Sequence, residues 1–268
     1  MNEIVKYDNY MNNLRFTSFT ATDFNFLMLL CSKLKDKDAS KIKISFSEIR
    51  EKTGYTQHPI KQFVSDLERM NDKLMKITCK LRTKTEIIMF VLFPTFRIDL
   101  DNQVLTVAVN EDFKFILNEL IRNFTRFDLS EFVQLDSKYS KNLYRLLKQY
   151  RSTGRYEVSL EDFRSKMDVP KAYINKRVMD DIIKPVLKEL KFKKYFKNLE
   201  CTVQYAHKRG RPVIGYTFTF TPEERVQAQE KKILEKKKLV NKFNNCDCRD
   251  YDFADLEKQL LNINTNHG

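Results

Sequence analysis

Acid–base and metal chemistry have few residues to draw on in this chain. The three histidines, His58, His207 and His267, are far apart and form no His-x-His pair. Metal-dependent nicking with a nucleophilic tyrosine needs such a pair, so that class is set aside. Cys246-Asp247-Cys248 offers two soft ligands with no second pair nearby, too few for a zinc site. Gly210–Thr217 has the glycine spacing of a phosphate-binding loop, but Tyr216 stands where the lysine must be, and strand-like runs flank it. No Ser/His/Asp or Cys/His constellation stands out. The expectation is a protein that is not an enzyme and uses no cofactor and no metal.

What the chain does offer is cations. Lys and Arg number 49 against 36 Asp and Glu, a formal charge of +13, which favours a polyanionic partner. Two short stretches concentrate donors of the kind that read nucleic acid. Lys171, Tyr173, Asn175, Lys176 and Arg177 lie within seven residues. Arginine and lysine donate to guanine O6 and N7, and an asparagine amide matches adenine N6 and N7. Lys208, Arg209 and Arg211 crowd around Gly210 with no acid among them, which suits phosphate or minor-groove contact. The plainer alternatives are a solvated basic helix face and a charged device protecting a sheet edge.

The surrounding elements must hold these two stretches. Apolar periodicity predicts helices over Ser137–Tyr150 and Leu160–Met167, with a short strand at Arg155–Ser159 between them. After the turn Asp168-Val169-Pro170, a third helix is expected over Lys171–Leu190. Ile174, Val178, Ile182 and Val186 would form its buried stripe. Pro170 suits the helix start, and Pro185 should kink or shorten its far end. Alternating residues in Cys201–Ala206 and Val213–Thr221 predict a hairpin whose tip is the basic turn His207–Pro212. Three helices followed by a hairpin is the layout of a winged helix-turn-helix, in which the third helix enters a DNA groove and the hairpin grips the backbone beside it.

The first half repeats this order. After a polar lead-in from Asn2 to Phe19, a helix capped by Thr22 or Asp23 runs to about Lys35, with Phe24, Leu27, Met28, Cys31 and Leu34 inward. A strand at Lys43–Phe46, helices at Ser47–Thr53 and Thr56–Asn71, and strand-like runs at Met75–Arg82, Glu86–Leu100 and Gln103–Val109 follow. Nine consecutive positions, Ile44–Lys52, match Val158–Lys166 in type at a constant spacing of 114 residues, and the register carries on to Ile60 over Ile174 and Val64 over Val178. The expected architecture is therefore α+β: two tandem winged helix-turn-helix domains, 1–123 and 124–221, with a charged C-terminal tail over 222–268. A helix over Asn110–Asn123 would close the first domain, and strand-like Phe124–Gln134 would lead into the second. The tail carries a Lys-rich helical segment from Glu223 to Phe243 and a short apolar turn at Phe253, Leu256 and Leu260.

Five scattered cysteines fit free thiols in a reducing cytoplasm. Met1–Tyr10 has no signal-peptide pattern, and no apolar run is long enough to span a bilayer, so no membrane partner is expected.

Ser137–Tyr150, the stretch Tyr156–Arg164 and the hairpin Lys208–Phe218 resemble the second winged helix of the theta-type plasmid replication initiators that bind iterons. The resemblance covers about Asn12 to Phe220 in order of elements and leaves the tail aside. It implies monomers on directly repeated origin sites, opening of an adjacent AT-rich segment, and recruitment of a host initiator and helicase. It also implies dimers, made through strands within Glu86–Val109, that repress the initiator's own promoter. Carried onto this chain, Lys171, Tyr173, Asn175, Lys176 and Arg177 become the base-reading candidates and Lys208, Arg209 and Arg211 the wing contacts. Gln57, His58 and Lys61 occupy the equivalent helix start in the first domain, where their lower charge implies weaker or backbone contact. A winged-helix transcriptional regulator without initiator activity would use the same residues.

Overall fold

The computed structural model describes residues 3–35, 37, 41–82, 85–118, 120 and 123–223. The tail features expected after Glu223 lie outside them, as do Cys246, Cys248 and His267.

The first strand, β1 (Ile4–Asp8), runs into a 3-10 turn at Asn9–Asn13. Val5, Tyr7, Met11, Phe16 and Phe19 are all buried, so the segment expected as a polar lead-in belongs to the core. Its polar residues sit between the apolar ones and masked the pattern. Helix α1 (Ala21–Leu34) follows, closed by a capping box in which the Thr20 hydroxyl accepts from the Asp23 N–H and the Asp23 carboxylate from the Thr20 N–H. The five residues expected to face inward are buried, and so are Phe26, Leu29 and Leu30. A helix buried on every side needs cover on every side; α1 packs against β1, against both later helices of the first half, and against two helices of the second.

Strand β2 (Ile42–Ser45) leads into α2 (Phe46–Lys52), and α3 (Ile60–Met75) comes after a turn. Strands β3 (Thr78–Arg82) and β4 (Ile87–Val91) pair as a hairpin. Strands β5 (Thr95–Asp99) and β6 (Val104–Ala108) complete a three-stranded sheet of order β2-β6-β5. The run Glu86–Leu100 thus makes two strands instead of one. Pro94 lies at the break, where it has no N–H to give a ladder. A 3-10 turn at Glu111–Ile116 stands where a longer helix was expected.

Strand β7 (Phe124–Asp128) pairs back with β1 in an antiparallel ladder from Ile4↔Asp128 to Asp8↔Phe124. The expected strand does not continue to Gln134, because the Asp128 side chain accepts from the Ser130 N–H and opens helix α4 (Leu129–Val133). Helix α5 (Lys138–Gln149), capped by Ser137, precedes β8 (Arg155–Ser159) and α6 (Leu160–Lys166).

The third helix of this half, α7, is continuous but uneven. It consists of Asn175–Arg177, a widened π stretch at Val178–Ile183, and Lys184–Phe192. It starts later than the sequence implied: Pro170 sits in the turn, and Ile174 is the extended cap residue. Pro185 does not cut it short. The Lys184 N–H bonds to the Met179 carbonyl, five residues back, so the widened turn just before the proline absorbs its missing donor and its ring. Val178, Ile182 and Val186 are buried as expected, whereas Ile174 is 69% exposed. Being outside the helix, it escapes the helical repeat that placed it in the stripe.

Strands β9 (Glu200–Tyr205) and β10 (Val213–Thr219) form the wing, in a sheet of order β8-β10-β9. Both sheets place the first strand beside the last and the last beside the middle one. The duplication read from Ile44–Lys52 and Val158–Lys166 is therefore a duplication of fold: α2 and α6 begin and end at the 114-residue spacing, and Ser45 and Ser159 cap them alike.

Candidate nucleic-acid interface

The turn that leads into each third helix is built the same way. At the end of α2, the Thr53 N–H bonds to the Ile49 carbonyl, the Gly54 N–H to that of Glu51, and the Tyr55 N–H to that of Arg50. At the end of α6, Met167, Asp168 and Val169 repeat these bonds to Phe163, Ser165 and Arg164. The residue that must turn left-handed is Gly54 in one copy (φ 70°) and Asp168 in the other (φ 50°). Asp168 is held there through its carboxylate, which accepts from Lys138 Nζ at 3.0 Å and the Ser18 N–H at 3.1 Å.

An arginine then locks each turn. Arg164 Nη2 donates to the carbonyls of Pro170 (3.2 Å), Lys171 (3.4 Å) and Tyr173 (2.7 Å). Arg50 Nη2 does the same to Thr56 (2.9 Å) and His58 (2.7 Å). Neither arginine stands out in the sequence by its own chemistry. Their recurrence at the 114-residue spacing was the available signal.

The second-domain candidates divide between this turn and the helix. Lys171 and Tyr173 lie in the locked turn, ahead of α7 and not on it, while Asn175, Lys176 and Arg177 form the first helical turn. The Arg177 guanidinium lies 4.0 Å from the centre of the Tyr173 ring, and its Nε donates to Asp181 at 2.8 Å. That hydrogen bond raises the Arg177 pKa above its ordinary value. It occupies only the inner edge of the guanidinium and leaves the Nη edge, the edge that grips guanine O6 and N7. On the wing, the Arg211 N–H closes a tight turn on the Lys208 carbonyl at 2.9 Å, with Gly210 at φ 81°. Lys208, Arg209 and Arg211 are exposed, and the Arg211 guanidinium lies 5.4 Å from the centre of the Tyr205 ring.

A groove lies between the two elements. Asn175, Lys176, Asp180 and Lys184 line one side of it and Tyr205 and Val213 the other. Lys184 is held by Asp180 at 2.7 Å. Among the described residues, Lys171, Lys176, Lys208, Arg209 and Arg211 form no ion pair with a carboxylate, so their charge faces solvent unneutralised. Unpaired cations clustered on the entry to α7 and on the tip of the wing are the footprint of a polyanion.

The first domain keeps the scaffold but not the charge. Gln57 and His58 lie in the arginine-locked turn and Lys61 in the first turn of α3, all exposed. The His58 ring packs on Tyr55 with centroids 4.2 Å apart. The β5–β6 tip carries Asp99 and Asp101 where the second wing carries cations. The Asn102 N–H and side chain hydrogen-bond to Asp99 and hold its carboxyl below the usual carboxylate range, which keeps this tip anionic.

Known proteins share this pair of winged helices. Residues 4–148 match the family described as "Initiator Replication protein, WH1", and residues 159–220 match "Initiator Rep protein, WH2". The chain belongs to the initiator replication protein family. A probable replication protein of Bifidobacterium longum is 35% identical to this initiator-family chain over 225 residues, covering 83% of this chain and 74% of the relative. A crystal structure of the Pi initiator protein in complex with iteron DNA shares its fold, with a TM-score of 0.62 at 15% identity over 83% of this chain and 98% of that one. The two winged helices of this initiator are thus those of its family. Among the described residues, no group of three or more His, Cys, Asp or Glu could hold a metal, and no helix is long and apolar enough to cross a membrane.

Proposed function

We propose that this chain is a plasmid replication initiator that binds directly repeated sites in its origin as a sequence-specific double-stranded DNA-binding protein. The observation that carries the proposal is the set of exposed, unpaired cations on the entry to α7 (Lys171, Lys176) and on the tip of the wing (Lys208, Arg209, Arg211). Lys171, Tyr173, Asn175, Lys176 and Arg177 read bases, and Lys208, Arg209 and Arg211 hold the backbone beside them. Gln57, His58 and Lys61 give the first domain a weaker contact. Binding opens an adjacent AT-rich segment and recruits the host initiator and helicase in the cytoplasm. Dimers formed through the strands of the first domain repress the initiator's own promoter. No step of this requires catalysis by the chain.

Support for the DNA class comes from family membership and from the Pi initiator, whose crystal structure contains iteron DNA. Footprinting on the DNA flanking its own gene is the direct test. Regularly spaced protection of direct repeats is expected. Protection of a single inverted repeat would assign the chain to promoter repression, and no protection at all would remove DNA recognition.

A further inference from the structure

Ile174 is 69% exposed in the middle of the proposed reading surface, and Ile60 is 41% exposed in the first domain. A single exposed isoleucine needs no explanation on most surfaces. These two occupy the same place in the two copies, 114 residues apart, at the entry to the third helix. Neither is needed by the core, whose stripe on α7 begins at Val178 and on α3 at Phe63. Both follow directly on the arginine-locked turn. Arg164 holds the Tyr173 carbonyl just before Ile174, and Arg50 holds His58 just before Pro59 and Ile60. Lys171, Lys176 and Arg177 surround Ile174 in sequence, so a polyanion drawn to those cations meets an apolar branched side chain between them.

In the major groove only one base-pair feature rewards such a side chain, the 5-methyl group of thymine. A β-branched residue suits the task, because its side chain is already stiff and loses little freedom on contact. We infer that Ile174 is a specificity-determining residue that packs against a thymine methyl in the bound site, and that Ile60 does the same under the first domain. This rests on the proposed DNA-binding function and adds to it a base that cation and amide donors do not select.

The test uses the full chain and the duplex defined by footprinting, with each thymine replaced in turn by uracil, which keeps every hydrogen bond and removes only the methyl. Loss of one buried methyl corresponds to about a fourfold weakening. One uracil should weaken the wild-type protein by that factor, and Ile174→Ala should bind the thymine duplex equally weakly while ignoring that uracil. A second sensitive position should be lost in Ile60→Ala. An unchanged thermal midpoint in both variants excludes misfolding. If no uracil matters to the wild type, or if each variant keeps the full uracil sensitivity, the inference is overturned while DNA binding stands. If the unsubstituted duplex is not bound at all, the function itself fails and the inference with it.

Discussion

Arg177 and Arg164 are both arginines of the second winged helix, yet they should behave differently when removed. Arg177 offers its free Nη edge outward, so Arg177→Ala should cost ~1–3 kcal/mol on the intact site and relax selectivity at one base pair. Titration against intact and single-base-changed sites checks this; an equal loss on all DNA would move Arg177 to the phosphate contacts. Arg164 donates inward, to the carbonyls that shape the turn carrying Lys171 and Tyr173. Arg164→Ala should lower the preference for specific over nonspecific DNA without changing the salt slope, because no phosphate contact is lost. A slope smaller by about one unit would make Arg164 a phosphate ligand. The base-reading candidates could be listed from sequence because their chemistry is local. Arg164 could not, since its partners are backbone carbonyls brought to it by the turn. Ile174 was misplaced for a related reason: a repeat of four assigns a face only to residues inside the helix.

At the scale of elements, the wing and the helix junction each make a claim. Replacing Lys208, Arg209 and Arg211 with alanine should weaken binding to every duplex and flatten the salt slope by roughly one unit per lost contact. An unchanged slope would remove the wing from the interface. The junction of α4 and α5 depends on Lys141, which is fully buried and donates to the carbonyls of Phe132 (2.6 Å) and Val133 (3.2 Å). Burial pushes its pKa from the ordinary 10.5 down to about 7. Between those values the unfolded chain holds more protons than the folded one, so stability should rise with pH, by at most ~1.4 kcal/mol per pH unit. Below pH 7 both states are protonated and the effect is gone. Urea denaturation across that range should show the rise in the wild-type chain and its absence in Lys141→Met; parallel curves would refute it. Element types were legible where periodicity was clean, as in α2, α6 and the wing. They were not where one residue decides, as Pro94 does by splitting a strand and Asp128 by capping a helix.

At the scale of the whole molecule, the halves are duplicated in sequence but not independent in packing. The constant 114-residue register made the duplication visible from sequence, whereas the pairing of β1 with β7 joins residues more than a hundred positions apart and leaves no local signature. A buried polar network lies alongside that ladder. The Asn12 amide donates to Thr125 (2.8 Å) and Gln149 (2.9 Å), and its oxygen accepts from Arg145 Nη1 at 2.8 Å. Arg145 is fully buried, with its guanidinium 4.8 Å from the centre of the Phe16 ring. A chain cut between residues 123 and 124 would strip β7 of its ladder, take Asn12 and Phe16 away from Arg145, and expose to water the apolar surface of α4 and α5 that α1 covers. The fragment 124–223 alone should therefore show no cooperative thermal transition, and adding the fragment 1–123 should restore one. A sharp transition from 124–223 by itself would mean that the second winged helix is self-sufficient. In that event the packing seen here would not fix how its reading helix is set relative to the first, and the spacing of the two contacts along DNA would have to be set by the DNA.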